Sequence, residues 1–240
     1  MTEEHDIQRE YYKETASSYD RMHINEGDEH FKALKIVVEE AKKNNVKSLI
    51  DVGSGTGRAL EYLLNSSFEV TGIEPSQDLR TIGIKRNKML NDHLLDGNGY
   101  YLDFPNESFD AACAFGVLHH VKDPNKVVAE MLRVSKKMIF ISDSNRFGQG
   151  QLFIQRIKWL LWKLGLWPLT NFIKTRGKGY LITEGDGLSY SYSVHDSYKL
   201  VDKWAMNIRV VSTSDPQLFD NADDFWLKAS HVLMIGTKQE

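Results

Sequence analysis

Between Leu49 and Leu60 the chain reads Leu-Ile-Asp-Val-Gly-Ser-Gly-Thr-Gly-Arg-Ala-Leu, and few folds accommodate that order of residues. The apolar run from Ser48 to Val52, carrying the single acid Asp51, predicts a buried strand. Three glycines at alternating positions follow, Gly53, Gly55 and Gly57, and then a helix-compatible segment from Arg58 to Leu64. Glycine is needed where the backbone takes positive φ or where a ligand touches the main chain. The N–H groups that open the helix then face an anionic or polar group. A strand, a tight turn and a helix N-terminus therefore predict an α/β unit that holds a nucleotide-like ligand. The dinucleotide pattern G-x-G-x-x-G, counted from Gly53, requires its third glycine at position 58, which is Arg58. A dinucleotide-dependent oxidoreductase remains an alternative at this point, with the early Gly57 and Arg58 against it.

The 240 residues suffice for one or two domains with a real core. A net charge of −3 gives no global basic field for nucleic acid, and no nucleic-acid partner is expected. The acidic, polar opening Met1-Thr-Glu-Glu-His-Asp is unlike a secretory or transit peptide, so the expected location is cytoplasmic. No apolar run is long enough to span a bilayer. The lone Cys113, inside an apolar run, reads as a small buried residue and excludes an intramolecular disulfide.

A second strand, Phe68 to Glu74, also ends in an acid. In a doubly wound sheet that carboxylate stands at the strand's carboxyl end, where nucleosides lie. One ionised carboxylate offers acceptors for both hydroxyls of a ribose, which makes Glu74 the expected ribose clamp. Asp110 to Phe115 is a near-continuous apolar run, as a strand buried on both faces requires. A further strand runs from Lys136 to Asp143, and two more cover 208–213 and 231–237, an expected antiparallel pair.

The pattern Asp51-x-Gly53-x-Gly55-x-Gly57 resembles the first motif of class I S-adenosylmethionine-dependent methyltransferases, the methyltransferase type 11 or UbiE-like family. Two further stretches share the likeness: Gly97-Asn-Gly-Tyr-Tyr-Leu-Asp-Phe-Pro-Asn-Glu-Ser-Phe-Asp110, and Gly116-Val-Leu-His-His-Val121. The resemblance covers residues 5–145 and 194–238. It implies one methyltransferase domain over 1–240: a Rossmann-like, seven-stranded, mostly parallel sheet with an antiparallel last strand. S-adenosylmethionine is implied across the ends of the first, second and fourth strands. Asp51, Gly53, Ser54, Gly55, Gly57 and Glu74 are then cofactor-binding, with Pro75 and Leu79 walling the adenine. Asn98 falls where the family has an acid reading the adenine amino group; its amide oxygen still accepts a hydrogen bond. Gly99 takes the small-residue position beside the ring, and Phe115 and Gly116 face the methionine part. Asp103 departs from the family's proline without an assignable meaning. Tyr19-Asp20 matches the end of an N-terminal segment, 1–28, that folds over the cofactor in many relatives.

His119 takes a variable family position, and a neutral imidazole is a natural general base for a hydroxyl or amine acceptor. His120 matches a family histidine that is usually packed and hydrogen-bonded. Asp143 and Asn145, after the fifth strand, are candidates to touch substrate, with Asp143 in the catalytic set; no metal is assigned. The methyl acceptor is expected to be a small molecule or a lipid- or glycan-linked compound, methylated on oxygen rather than nitrogen or carbon. A non-catalytic binding module of the same architecture is the other alternative.

Residues 146–193 lie outside the resemblance, as an insertion on the substrate side. From Arg146 to Lys178 there is no acid, but seven bases and three tryptophans, Trp159, Trp162 and Trp167. Phe153 to Pro168 reads as one helix, apolar over most of its circumference. Two expectations compete: a lid whose apolar face caps the domain, or a peripheral membrane contact through 151–178. Lys178 to Tyr192 reads as a glycine-broken hairpin whose Tyr180, Tyr190 and Tyr192 are candidates to line an aromatic pocket.

Overall fold

The computed structural model describes residues 7, 8, 11, 15, 28–183, 186–214 and 228–238. Tyr19 and Asp20 lie outside them. In chain order the longer elements are α1 (Glu29–Lys43), β1 (Ser48–Val52), α2 (Arg58–Asn65), β2 (Glu69–Glu74), α3 (Gln77–Arg86) and β3 (Leu94–Asp96). Then come β4 (Phe109–Phe115), α4 (Pro124–Val134), β5 (Ser135–Ser144), α5 (Leu152–Lys163) and α6 (Trp167–Lys174). The chain continues with β6 (Tyr180–Thr183), β7 (Gly187–Tyr190), α7 (Tyr198–Asp202), β8 (Asn207–Ser212) and β9 (His231–Thr237).

Seven strands form one sheet in the order β3-β2-β1-β4-β5-β9-β8. β1 pairs in parallel with both β2 and β4, and β9 runs antiparallel to β5 and β8. The expected mostly parallel α/β sheet with an antiparallel last strand is therefore present. Strand order reverses between β1 and β4, and in such sheets ligands bind in the crevice outside the strand ends at that point.

Successive side chains of β1 divide between two cores. Ile50 and Val52 join Ile73, Ala112, Val128 and Met131 on one face, while Leu49 joins Val37, Leu60, Leu63 and Phe140 on the other. α1 explains its own docking: Ala33, Leu34, Val37 and Ala41 recur at helical spacing and are the buried residues. Asp28 caps its start by accepting from the His30 N–H at 3.0 Å, and Lys42 and Lys43 sit at its negative end.

Asp123 precedes α4, where its side chain makes no capping bond and pairs with Lys126 at 2.9 Å. After Ser193 comes a 3₁₀ turn, Val194–Ser197, followed by α7, with Ser193 and Asp196 forming a capping box. One local expectation is corrected. The single helix expected over 153–168 is two helices. Gly165, at φ +72°, stops the first, with its N–H donating to Trp162 O and that of Leu166 to Leu161 O. A left-handed glycine followed closely by proline, here Pro168, ends a helix, and those two residues were the available signal.

Arg146 also differs from its reading as part of a basic surface: it is buried. Its guanidinium pairs with Asp196, donates to Ser191 O at 2.7 Å and lies 5.0 Å from the Trp167 ring centroid. It thereby ties the start of the insertion to α6 and to the turn before α7. Removing one partner of a buried pair strands the other charge, so Arg146→Ala is expected to cost about 3 kcal/mol in denaturant unfolding. A change below about 0.5 kcal/mol, the size of an ordinary surface substitution, would show that the pair does not hold the insertion.

Candidate active site

A cavity of about 880 Å³ opens at the carboxyl ends of β1, β2 and β4. The three glycines of the first turn do different work there. At Gly53, φ +78°, a Cβ would come within 2.5 Å of Val117, and at Gly57 within 2.9 Å of Leu90. Those two positions serve the turn and its packing, and Gly57 does not line the cavity. Gly55, φ +57°, lines it, and among the described residues a Cβ there would meet nothing within 4 Å. Gly55 is thus the backbone cradle. Ser54 also lines the cavity, with its hydroxyl turned back to donate to Asp51 O at 2.9 Å.

Glu74 is buried at the end of β2. One carboxylate oxygen accepts from Gly55 N–H at 2.9 Å and the other from Ser76 N–H at 2.8 Å. These bonds hold the carboxylate against the cavity, and each oxygen keeps a lone pair for a further donor. Burial pushes the Glu74 pKa up, with the two backbone N–H groups opposing it. Asp51 is also buried and lines the cavity. Burial raises its pKa to about 7, and the nearby Glu74 charge adds to the rise. Among the described residues its Oδ2 has no hydrogen-bond partner, an arrangement that suits a cationic or hydrogen-bond-donating ligand.

Pro75, Leu79, Asn98, Gly99, Phe115 and Gly116 all line the same cavity. Asn98 already accepts from Tyr100 N–H at 3.0 Å through its amide oxygen. Gly99 is small for packing as well, because a Cβ would fall 2.7 Å from Val127 and 3.0 Å from Val52. Of the three tyrosines considered, only Tyr190 lines the cavity; Tyr192 is buried, with its hydroxyl 2.9 Å from Ser197 Oγ.

The cavity lining also includes an imidazole set between two carboxylates. His119 Nδ1–H donates to Asp143 Oδ1 at 2.7 Å, and Asp143 Oδ2 accepts from Leu118 N–H at 2.9 Å. Asp143 is fully buried behind His119 and does not line the cavity. His119 Nε2 lies 3.3 Å from Asp186, at the β6–β7 turn. Burial opposes charge on His119, but Asp143 and Asp186 outweigh it and raise its pKa to about 10. Burial likewise works against the Asp143 charge, and the His119 imidazolium overcomes it, holding that pKa at about 2. His120 Nδ1–H donates to Leu188 O at 2.7 Å, and its Nε2 is 3.4 Å from Asp186. The donor atoms of His119, His120 and Asp186 lie within 4.8 Å of one another. The ion pairs already use these atoms, and we assign no metal there.

Among the cavity residues not anticipated are Asp186 and His30. Asp186 was passed over within a tyrosine-rich loop, although it and Glu184 are the first acids after the acid-free stretch. His30 lines the cavity from α1, with Nδ1 3.2 Å from Ser142 Oγ, and burial lowers its pKa. A lone histidine on an amphipathic helix carries no sequence signal. Asn145, by contrast, is fully buried and spends its side chain on Ala229 O, Phe147 N–H and the Ser193 hydroxyl. It does not reach the cavity.

Residues 50–139 match the model of a methyltransferase domain family. An uncharacterized methyltransferase of Anoxybacillus flavithermus is 29% identical over 134 residues, 54% of this chain and 60% of that protein. A demethylmenaquinone methyltransferase of Geobacillus stearothermophilus is 30% identical over 155 residues, 59% of this chain and 66% of that protein. The chain thus spans under two thirds of the length of these curated relatives. The fold is shared with magnesium protoporphyrin IX methyltransferase of Synechocystis PCC 6803, a structure with bound SAM. It superposes with a TM-score of 0.64 at 12% identity, covering 100% of this chain and 99% of that one.

Proposed function

We propose, from the match of residues 50–139 to a methyltransferase domain family, that this chain is an S-adenosylmethionine-dependent methyltransferase acting on a hydroxyl acceptor. The observation that carries the reading is one cavity lined by Gly55, Glu74, His119 and Asp51, whose Oδ2 has no partner among the described residues. Where bound, S-adenosylmethionine supplies a methyl group already activated by its sulfonium. Most of the catalysis is then alignment of acceptor and donor.

The chain's own residues fit that group. Glu74, fixed by two backbone N–H groups, has acceptors left for vicinal hydroxyls. The open oxygen of Asp51 suits a cation, and a cation beside it would favour its ionised form. Pro75 and Leu79 would provide apolar surface for a flat ring, with Asn98 and Gly99 lining the same cavity. Tyr19 is proposed to close over the same ligand from the N-terminal segment.

On the acceptor side, Asp143 orients His119 so that Nε2 is the atom presented to the cavity. His119 takes the acceptor proton at Nε2 once that nitrogen has lost its own proton. Asp186 is placed to control this loss, because its carboxylate favours the imidazolium. Only the neutral ring accepts a proton, so the rate rises with pH as His119 deprotonates, and its raised pKa puts that limb on the alkaline side. Asp186→Asn removes one of the two favouring charges and is expected to move the limb in kcat/KM to lower pH. A limb that stays in place would remove Asp186 from the environment of the base.

The acceptor is a small molecule or a lipid- or glycan-linked hydroxyl; an imidazole–carboxylate pair suits removal of a hydroxyl proton. Calorimetry with S-adenosylmethionine, followed by a labelled-methyl assay over an acceptor panel, tests the reading. Saturable binding with methyl transfer supports it. Binding of NADH without binding of S-adenosylmethionine, or no turnover with any acceptor, would overturn it.

A further inference from the structure

α5 and α6 are apolar helices that bury almost nothing. Gln155 is the one buried residue of α5, and α6 has none. Phe153, Phe172 and Ile173 are exposed to 72%, 61% and 68%. Leu152, Leu164 and Leu169 are exposed beside them, as is Ile182 on β6. The expectation of a lid whose apolar face caps the domain is therefore corrected: that face looks outward. The tryptophans do the anchoring instead. Trp162 packs edge-on against Phe147, and Trp167 donates to Ser191 Oγ at 3.2 Å beneath the Arg146 guanidinium.

The charge of this surface is one-sided. From Arg146 to Thr183 there are seven bases and no acid, in a chain whose net charge is −3. Arg156, Lys163, Lys174, Arg176 and Lys178 are exposed, interleaved with the apolar side chains. Large apolar side chains flanked by long cationic ones fit the boundary between headgroups and acyl chains, where the stems lie in apolar surroundings and the charges reach out. No described helix is long and apolar enough to cross a membrane, so contact here is with one leaflet.

We propose that the α5–α6–β6 surface docks on an anionic lipid bilayer and holds the cavity mouth against it. A second copy of this chain fits less well, because a self-complementary interface would set this cationic face against itself. The hairpin supplies the link to the cavity. β6 carries the exposed Leu181 and Ile182, while its partner β7 turns Leu188 and Tyr190 toward the cavity. Resting on the methyl-transfer reading above, this names the acceptor class: a hydroxyl compound with an apolar anchor, presented from the membrane.

The test is sedimentation of the full chain with phosphatidylglycerol–phosphatidylcholine vesicles and with pure phosphatidylcholine vesicles, at low and high salt. The chain is expected to bind the anionic vesicles, with binding that weakens in high salt. Phe172→Ser with Ile173→Ser, and separately Lys174→Glu with Arg176→Glu and Lys178→Glu, should each weaken partition by about tenfold or more. Both variants should keep the wild-type melting temperature and affinity for S-adenosylmethionine. Absence of binding to anionic vesicles, or variants that bind as wild type does, overturns the proposal. So does a dimer in solution that the Phe172→Ser, Ile173→Ser variant dissociates. Because affinity for S-adenosylmethionine is measured separately, its loss would bear on the methyl-transfer reading and not on docking.

Discussion

Gly55→Val is expected to abolish S-adenosylmethionine binding in calorimetry while leaving the protein folded. Two effects combine at this position. The residue sits at φ +57°, where a β-branched side chain costs roughly 1–2 kcal/mol. A Cβ there meets no neighbour within 4 Å among the described residues, so the isopropyl group occupies the cavity rather than the core. The backbone strain lowers the melting temperature modestly; the occupied cradle removes the ligand. Gly53→Val is the contrasting case. Its Cβ would strike Val117 at 2.5 Å, so its damage falls on packing and stability. Glu74→Ala complements Gly55→Val without filling space, and losing two charge-assisted hydrogen bonds should weaken binding about a hundredfold or more. Wild-type affinity in both Gly55→Val and Glu74→Ala would overturn the site.

The second large effect belongs to His119. His119→Ala is expected to lower kcat by roughly 10² to 10⁴ while sparing affinity for S-adenosylmethionine, as follows from its proposed role toward the acceptor proton. Asp143→Asn separates positioning from proton transfer. Asp143 does not reach the cavity; it holds Nδ1–H and with it the orientation of the ring. The amide removes the charge that favours the imidazolium, so its rate loss should come with a pH limb moved to lower pH. Alanine at 119 removes the limb altogether. Full turnover in His119→Ala would exclude the residue from proton transfer and leave alignment as the whole of the catalysis.

The legible parts of this protein are those where one local rule governs a residue. Asp51 and Gly55 are placed by a strand that must end and a turn that must admit a ligand, and both line the cavity. Glu74 follows from the same logic one strand over. Gly57 satisfied the motif but serves packing against Leu90, since spacing does not reveal which glycine faces open space. Asp186 was missed because it lies 67 positions beyond His119 and meets it only when the β6–β7 hairpin folds back. His30 was missed for the same reason: its meeting with Ser142 spans 112 residues and leaves no periodic trace. Arg146 looked like one more base of a cationic surface until burial beside Asp196 gave it another role.

By itself the amino-acid order determined the parallel α/β sheet, the acid- and glycine-bearing strand tips that line the cavity, and the cationic, tryptophan-rich character of the insertion. Backbone conformation and hydrophobic periodicity are short-range properties, written within a dozen residues. Only the tertiary structure decided that His119 lies between Asp143 and Asp186, and that the apolar side chains of α5 and α6 face outward. Electrostatic environment and burial depend on which distant segments meet, and those meetings are made by the fold.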